Sequence, residues 1–287
     1  MPSQEQTPVS PPAADESLHL KKALGPVMLW GLGVGYVISG EYFGWNLGLP
    51  LGGSYGMLAS FLLISVMYVA FVFSYTEMAC AIPRAGGVFV YGVRALGLPL
   101  GYLGGIAQVI EFVFAPPAIA MAIGTYVNIS WQTADPKVIA LAAYLAFTAL
   151  NILGVRQAAA FELVVTVLAV GELLLFTVVV VPHFEMANFT TDAWPHGWSG
   201  PFASIPFAIW FYLAIEGVAH AAGEARHPRR DVAIGFGAAI TTLVVLAAAV
   251  FVLSVGVGGW QRIVYEPNDL VTVAGQVEVL PGAEPSD

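Results

Sequence analysis

Acidic residues lie inside several of the longest apolar runs of this chain. Glu41 follows Ser39 and Gly40 in one such run, and Glu216 precedes Gly217 in another. An unpaired charge is expensive to bury in hydrocarbon, so an ionisable residue at that depth is a functional candidate by default. A glycine beside each carboxylate also indicates an interrupted helix, which is typical of segments that bind a small molecule within a membrane.

The two runs share an order of residue types. Each passes from an aromatic residue through small residues to a Glu beside a Gly, as in Tyr36-Val-Ile-Ser-Gly-Glu41 and Tyr212-Leu-Ala-Ile-Glu-Gly217. If the chain contains inverted repeats, the two interruptions occupy equivalent places near the bilayer midplane and face each other. Unwound backbone is tolerated at that depth where it lines a polar cavity. Freed carbonyls and two carboxylates would then form a negative site suited to an ammonium group.

The predicted substrate-binding residues are these two interruptions and one aromatic neighbour. Trp210 precedes Glu216 by about a turn and a half of helix, and aromatic faces attract cations. The full set is Ser39, Gly40, Glu41, Trp210, Glu216 and Gly217. A second interpretation, compatible with the first, is that Glu41 and Glu216 cap the half-helices that follow them, whose N-terminal ends favour a negative side chain.

Two further carboxylates are candidates for a coupling ion. Glu111 lies in the middle of an apolar run with no Lys or Arg nearby, which leaves it protonated, hydrogen-bonded or part of an ion relay. Glu172 lies deep in another run and is the second relay candidate. Glu162 lies about 9 Å along a helix from Arg156 and is expected to snorkel toward the cytoplasmic interface. The coupling ion would be a proton or sodium, and no other cofactor is expected.

Other classes of site have little support in the sequence. The histidines at positions 183, 196, 220 and 227 lack metal-ligand spacing with Cys or Asp, so no metal is predicted. No Ser-His-Asp or His-Glu-x-x-His arrangement is present, and an enzyme is not expected. The net charge is −9, and the ten Lys and Arg residues form no basic face, which argues against nucleic acid as a partner.

The elements that must position these residues are membrane helices. The chain has 287 residues, 58% hydrophobic and only 10% charged, with a mean hydropathy of +0.78, whereas a soluble domain carries about 25% charged residues. Apolar runs of about 20 residues predict an all-α polytopic membrane protein with discontinuous spans 1 and 6. The seven predicted spans cover about Gly25–Pro50, Tyr55–Ile82, Leu98–Ile129, Val138–Val155, Gln157–Val181, Pro201–Ala222 and Val232–Gly256.

Three regions follow from this pattern. Residues 1–22 are expected to form a disordered cytoplasmic tail, residues 23–259 the transmembrane domain, and residues 260–287 a polar acidic tail. Within the transmembrane domain, repeat 1 covers about 25–181 and a partial repeat 2 about 201–259. Short cytoplasmic loops retain Lys and Arg, and a cytoplasmic N-terminus places eight of the ten basic residues inside. The expected location is the cell membrane, with the lipid bilayer as a partner and the oligomeric state open.

Several of these motifs together resemble a known group of transporters. They are the interrupted first span, the run Ile82-Pro-Arg-Ala-Gly-Gly87 before Tyr91, the Glu216-Gly217 pair, and the charged loop from Glu224 to Asp231. This combination resembles the amino acid/polyamine/organocation (APC) permease superfamily over about Leu24 to Gly259. The stretch from Gly35 to Asn46 is most similar to the ethanolamine permease branch.

The resemblance implies a five-plus-five inverted-repeat fold and secondary uptake of a small amine or amino acid. By position, it places Ser39, Gly40, Glu41, Glu216 and Gly217 at the substrate site. Amino acid members hold a substrate carboxylate at the first interruption. A carboxylate at Glu41 suits ethanolamine better, because that substrate has no carboxylate to repel. Only spans 1 to 7 are present, so the resemblance also implies a C-terminally truncated member.

The leading hypothesis is therefore a secondary transporter that imports ethanolamine or a similar small amine by alternating access. Spans 1, 2, 6 and 7 would rock against spans 3 to 5. An amino acid permease of the same superfamily is the first alternative, and a non-transporting fragment is another. A seven-helix receptor is the alternative from a different class, and it predicts continuous helices and an N-terminus outside the cell.

The orientation is testable by epitope accessibility. A tag fused to the N-terminus is expected to react only after cells are permeabilised, because the basic residues retain that side in the cytoplasm. A tag placed between Trp194 and Trp198, in the loop after span 5, should react on intact cells. Labelling of the N-terminal tag on intact cells would contradict this topology and favour a receptor.

Overall fold

The structure, a computed structural model, describes residues 22–82, 86–131 and 135–265. The predicted tails, apart from residue 22 at one end and residues 260–265 at the other, and the Arg84 region lie outside these ranges. All named elements in the described ranges are helical, and an isolated bridge joins Leu24 to Ala225. The helices are α1 (Pro26–Val37), α2 (Ser39–Tyr42), α3 (Leu49–Ala81), α4 (Gly87–Leu96), α5 (Leu98–Ser130), α6 (Pro136–Ile152), α7 (Val155–Val180), α8 (Met186–Thr190), α9 (Ser199–Ala208), α10 (Val218–Ala221), α11 (Pro228–Gly258) and α12 (Trp260–Tyr265).

Five helical stretches in the described ranges are long and apolar enough to cross a membrane by length and composition. They are Trp45–Ala81, Leu98–Asn128, Gln157–His183, Ser199–Glu224 and Pro228–Gly258. Four of the predicted spans, the third, fifth, sixth and seventh, have close counterparts among them. The fourth corresponds to the shorter helix α6, of 17 residues. A polytopic all-helical protein is confirmed, and the number of seven spans remains a prediction.

The 37-residue stretch from Trp45 to Ala81 is two segments joined by a sharp turn. Gly53 within it has φ 63° and ψ −172°, a conformation almost confined to glycine. A Cβ added at Gly48 would lie 2.8 Å from the sulfur of Met57. Nine residues of straight helix would instead separate these positions by about 14 Å. The chain therefore folds back at Gly53, and the second half of span 1 packs against the start of span 2.

The hydrophobic core lies among α1, α3, α9 and α11. Helix α1 packs chiefly on α11 and α7, while α9 packs chiefly on α3. Fully buried side chains such as Phe211, Phe236 and Phe251 fill the space between these helices. Helices α5, α6 and α7 instead expose large apolar side chains, including Phe114 and Leu168. An apolar outer surface is what a bilayer requires of a spanning helix.

Substitution at Gly53 tests whether the chain reverses direction in a tight turn at this residue. A Cβ there would lie 2.6 Å from the carbonyl oxygen of Ala193 and would also clash with Pro195. Gly53→Ala should lower the free energy of unfolding by at least about 1–2 kcal/mol, the cost of a left-handed backbone for an L residue. Thermal unfolding of the purified protein in detergent measures this change.

Gly237→Ala is the matched control for that measurement. Gly237 lies inside α11, and an added Cβ meets nothing within 4 Å. The change should be neutral or stabilising by up to about 1 kcal/mol, because alanine loses less backbone entropy in a helix. Equal shifts for the two variants would contradict a tight turn at Gly53.

Candidate binding site at two helix breaks

The first break separates α1 from the 3₁₀ turn Trp45–Gly48. Helix α2 has only four residues, Phe43 is extended, and Gly44 has φ 94°. Local side chains form hydrogen bonds with some of the backbone groups that the break leaves unpaired. The Gly44 N–H donates to Asn46 Oδ1 at 3.1 Å, and Trp45 Nε1 donates to the Glu41 carbonyl at 3.2 Å. Span 1 is therefore interrupted, but a few residues later than predicted: Ser39, Gly40 and Glu41 belong to helix α2, and the sharpest bend lies at Gly44.

The second break lies slightly earlier than the sequence indicated. The predicted interruption was Ile215-Glu216-Gly217, but these residues form a 3₁₀ turn, and the irregular backbone precedes them. Tyr212 has φ −135° and ψ −1°, and Ala214 has φ 74° in the left-handed region. That conformation costs about 1–2 kcal/mol for alanine. An alanine in the sequence therefore does not predict it. Strain of this kind is concentrated at functional sites.

The two breaks pack against each other in antiparallel order. A Cβ added to Gly217 would meet the ring of Tyr36 at 2.7 Å. Further along span 1, Gly40 lies directly against the carbonyl of Trp210, and an added Cβ at Gly44 would lie 2.7 Å from the Trp210 ring. As the residue numbers rise in span 1, their partners in span 6 fall. The recurrent glycines of span 1 thus let two interrupted backbones approach closely.

Glu41 is enclosed at the centre of this contact. Its side chain is 1% exposed, and neither carboxyl oxygen has a hydrogen-bond partner among the described residues. Tyr212 from span 6 lies nearby, with its hydroxyl 2.6 Å from that of Ser65. The described surroundings of Glu41 supply no cation. Its predicted role as an ammonium ligand stays a prediction.

Glu216 faces a different carboxyl group. Its side chain meets that of Glu111 from α5, close enough for a hydrogen bond once one of the two carries a proton. One oxygen of Glu111 is buried without a partner among the described residues. Tyr68 of α3 lies within electrostatic range of both carboxyls, and its ring is 5.2 Å from that of Tyr212. The predicted coupling residue Glu111 and the predicted substrate residue Glu216 therefore lie together.

A group of polar side chains on α3, α4 and α5 lies near this carboxyl pair. Tyr75 Oη, Tyr91 Oη and Gln108 Nε2 are buried without hydrogen-bond partners in the described ranges. The rings of Tyr75 and Tyr91 are 5.3 Å apart, and Gln108 lies one turn before Glu111 on α5. Such unsatisfied groups are costly unless water or a ligand completes them. The spacing of Gln108 and Glu111 could have drawn attention to this set from the sequence.

His220 lies at the edge of the same group. Atoms of its ring and the side-chain Oε1 of Gln108 both lie close to Gly87, where φ is 45° and an added Cβ would meet them at 3.0 to 3.2 Å. Its ring is also 6.1 Å from that of Phe112, in an edge-on arrangement. Sequence spacing gave His220 no role, because its neighbours come from distant segments.

The remaining predicted residues lie outside the carboxyl pair. The Trp210 ring packs beside Phe43, at 6.0 Å between ring centroids, rather than over Glu216. Glu172 is exposed on α7, where its Oε2 accepts a hydrogen bond from Tyr42 at 3.2 Å. Glu172 therefore contacts the first break through Tyr42. Ser39, half-buried on α2, lies next to the Gly40 contact.

Glu162 does not extend to the cytoplasmic interface as expected. Its carboxyl lies against Gly35 of α1, where an added Cβ would be 2.8 Å from Oε1. Thr166, one turn later on α7, is 1% exposed and donates to the Gly31 carbonyl at 3.2 Å. The glycine face of α1 leaves room for both side chains, so α7 packs closely here and directs Glu162 inward.

The charged segment after α10 connects the two broken spans. The Glu224 carbonyl accepts from the N–H groups of Ala23 and Leu24 at 2.9 and 3.0 Å, and Arg226 N–H donates to the Leu24 carbonyl at 2.9 Å. The sequence suggested a loop up to Asp231, but α11 already begins at Pro228. The entry to span 1 is thus tied to the exit of span 6.

Comparison with known proteins gives a consistent match. Residues 24–280 match the family model described as amino acid permease. An uncharacterized transporter of Rhizobium meliloti (strain 1021) is 30% identical over 259 residues, which cover 86% of this chain and 55% of that protein. The methylthioribose transporter of Bacillus subtilis (strain 168) is 26% identical over 263 residues, covering 85% of this chain and 57% of that protein.

A third relative has an amino acid in its name. The branched-chain amino acid permease BcaP of Bacillus subtilis (strain 168) is 23% identical over 260 residues, covering 83% of this chain and 55% of that protein. The chain spans about half the length of the curated relatives it matches.

Proposed function

Because the chain belongs to the amino acid permease family, we propose that it acts in secondary transport, importing ethanolamine or a similar small amine by alternating access. Membership of a permease family confirms the prediction that the protein is not an enzyme. The observation that carries the proposal is the meeting of the Glu111 and Glu216 carboxyls at the second break.

The carboxyl pair is suited to an ammonium group. Two ionised carboxylates about 4 Å apart repel each other by about 4 kcal/mol at an effective dielectric constant of about 20. No Lys or Arg lies in α5 or between Ser199 and Ala225 to balance them. A substrate ammonium placed between the two removes the repulsion and forms charge-assisted hydrogen bonds. The ring of Tyr68, near both carboxyls, adds an aromatic wall that favours a cation.

The uncharged end of the substrate would extend toward Tyr75, Tyr91 and Gln108. A hydroxyl group both donates and accepts, and the two phenol groups and the Gln108 amide offer both functions. These atoms are among the buried polar atoms without a hydrogen-bond partner in the described residues, and the Tyr75 hydroxyl lies near the Gln108 side chain. Ethanolamine, with an ammonium at one end and a hydroxyl at the other, matches this order of groups.

The two breaks supply a mechanism for alternating access. Each is a short irregular segment between packed half-helices, and such segments absorb the backbone rotation of a rocking motion. The first span of each predicted repeat packs on the second span of the other repeat, α1 on α11 and α9 on α3. This pairing is expected of two inverted repeats. Opening toward the side of Leu24 would separate this residue from the Glu224–Arg226 segment. We propose a proton or sodium gradient as the driving force.

An amino acid is the second candidate substrate, favoured by the named activity of the BcaP relative. An amino acid would need donors for its carboxylate in addition to acceptors for its ammonium group. The Gln108 amide and the two tyrosine hydroxyls are donors within the same pocket. The two candidates therefore make different demands on the same side chains, and competition between them can be measured.

The carboxyl pair is tested by uptake of labelled ethanolamine into proteoliposomes containing the protein expressed from its complete gene. Glu216→Gln and Glu111→Gln should each lower uptake at limiting substrate by about 10- to 100-fold, since a charge-assisted hydrogen bond contributes about 1.5–3 kcal/mol. Glu77→Gln, an exposed carboxyl on α3, is the control and should leave uptake unchanged. Unchanged uptake in both pocket variants would remove the pair from the site.

Competition distinguishes the two substrates. Unlabelled ethanolamine should suppress uptake of labelled ethanolamine at lower concentration than leucine or alanine does, because an added carboxylate would enter a pocket that already holds two acidic groups. Gln108→Leu should weaken ethanolamine uptake by removing a partner of the hydroxyl. Stronger suppression by the amino acids would instead favour the amino acid permease.

A further inference from the structure

Glu41 is a buried acidic group that the proposed amine pocket does not use. It lies on α2, which packs chiefly on the turn Ile209–Phe211 and on α11, and which also contacts α5 and α7 through Tyr42. Both carboxyl oxygens lack a hydrogen-bond partner in the described part of the chain, and the side chain is 1% exposed. The pair formed by Glu111 and Glu216 lies within electrostatic range of Tyr68, whereas Glu41 lies within range of Tyr212, and the rings of the two tyrosines are 5.2 Å apart.

Among the described residues, neither a cation nor a hydrogen-bond donor meets the Glu41 carboxyl. The titratable side chains within electrostatic range are Tyr42 on its own helix and Tyr212 from span 6, and both are neutral phenols. The Tyr212 hydroxyl is already engaged with Ser65 at 2.6 Å. Helix α11 contains no ionisable residue after Asp231 in its first turn. An ionised carboxylate in this place would have neither a cation nor a hydrogen-bond donor, which is the most expensive way to bury it.

We propose that Glu41 is the proton-carrying residue of the transport cycle: it holds a proton while the two breaks are packed together and releases it when they separate. A neutral carboxylic acid fits the enclosed position, whereas a carboxylate requires water. Separation of α2 from the Trp210 carbonyl and the Ile209–Phe211 turn would open Glu41 to water. Proton release would then be tied to the same movement that opens the amine pocket.

The coupling role of Glu41 rests on the proposed transport function, whereas its protonation does not depend on that function. It also gives Glu41 a role distinct from that of an ammonium ligand. The amine would bind at Glu111 and Glu216, and the proton at Glu41. Two separate carboxyl sites could thus respond to one movement without competing for the same cation.

Infrared spectroscopy tests the protonation directly, without any transport. In membranes containing the protein expressed from its complete gene, at neutral pH, a carbonyl stretching band of a protonated carboxylic acid should be present in the wild type. The part of this band that belongs to Glu41 should disappear in Glu41→Gln, whose side chain has nearly the same shape. Glu77→Gln, which alters an exposed carboxyl, should leave the band unchanged. No difference between wild type and Glu41→Gln would overturn the proposal.

Transport assays then test the coupling. In proteoliposomes, exchange of internal for external ethanolamine needs no net proton movement, whereas accumulation driven by a pH gradient does. Glu41→Gln should retain exchange and lose gradient-driven accumulation. Loss of exchange with a normal response to the gradient would make Glu41 a substrate ligand and overturn the proposal. Wild-type protein that exchanges no amine would refute the proposed transport function, while the infrared result would still decide the protonation of Glu41.

Discussion

The architecture depends on the close approach of two interrupted helices inside an apolar environment. An interrupted helix leaves backbone groups without their usual partners, and a bilayer offers no water to replace them. Here the two interruptions cover each other: Gly40 and Gly44 lie against the backbone and ring of Trp210, and Tyr36 covers Gly217. Local groups bond to part of the freed backbone, as Asn46 does to the Gly44 N–H. Side chains at any of these glycines would separate the breaks. The glycines therefore serve packing and position the acidic residues at the same time.

The acidic residues divide into two environments because the breaks are staggered. Glu216 leaves span 6 after the strained Ala214 and meets Glu111 of α5, next to a group of unsatisfied polar atoms. Glu41 leaves span 1 near Tyr212 and is buried, with 1% of its surface exposed. One environment can receive a polar ligand, and the other favours a neutral acid. Similar residues in similar sequence contexts can thus serve different ions.

The surroundings of these sites indicate which parts can move. The core among α1, α3, α9 and α11 is continuous and rich in aromatic contacts, such as the stacking of Trp45 on Phe211 at 5.4 Å. The connection between Leu24 and Ala225 is a single bridge with a few backbone hydrogen bonds. Few bonds hold this connection, so it can open at lower cost than the packed core. A rocking motion would therefore be expected to begin at the ends of the broken spans.

Much of this protein follows from its sequence alone. Apolar runs long enough to cross a bilayer predict the helices, and a carboxylate beside glycine within such a run lies within a few residues of each break, because both rules act locally along the chain. Tertiary structure decided the partners. Contacts between distant segments bring Glu216 to Glu111 and direct Glu162 inward beside Gly35. They also place Tyr75, Tyr91 and Gln108 near the same carboxyl pair. The backbone at Ala214 is also set by packing, since alanine has no local preference for that conformation.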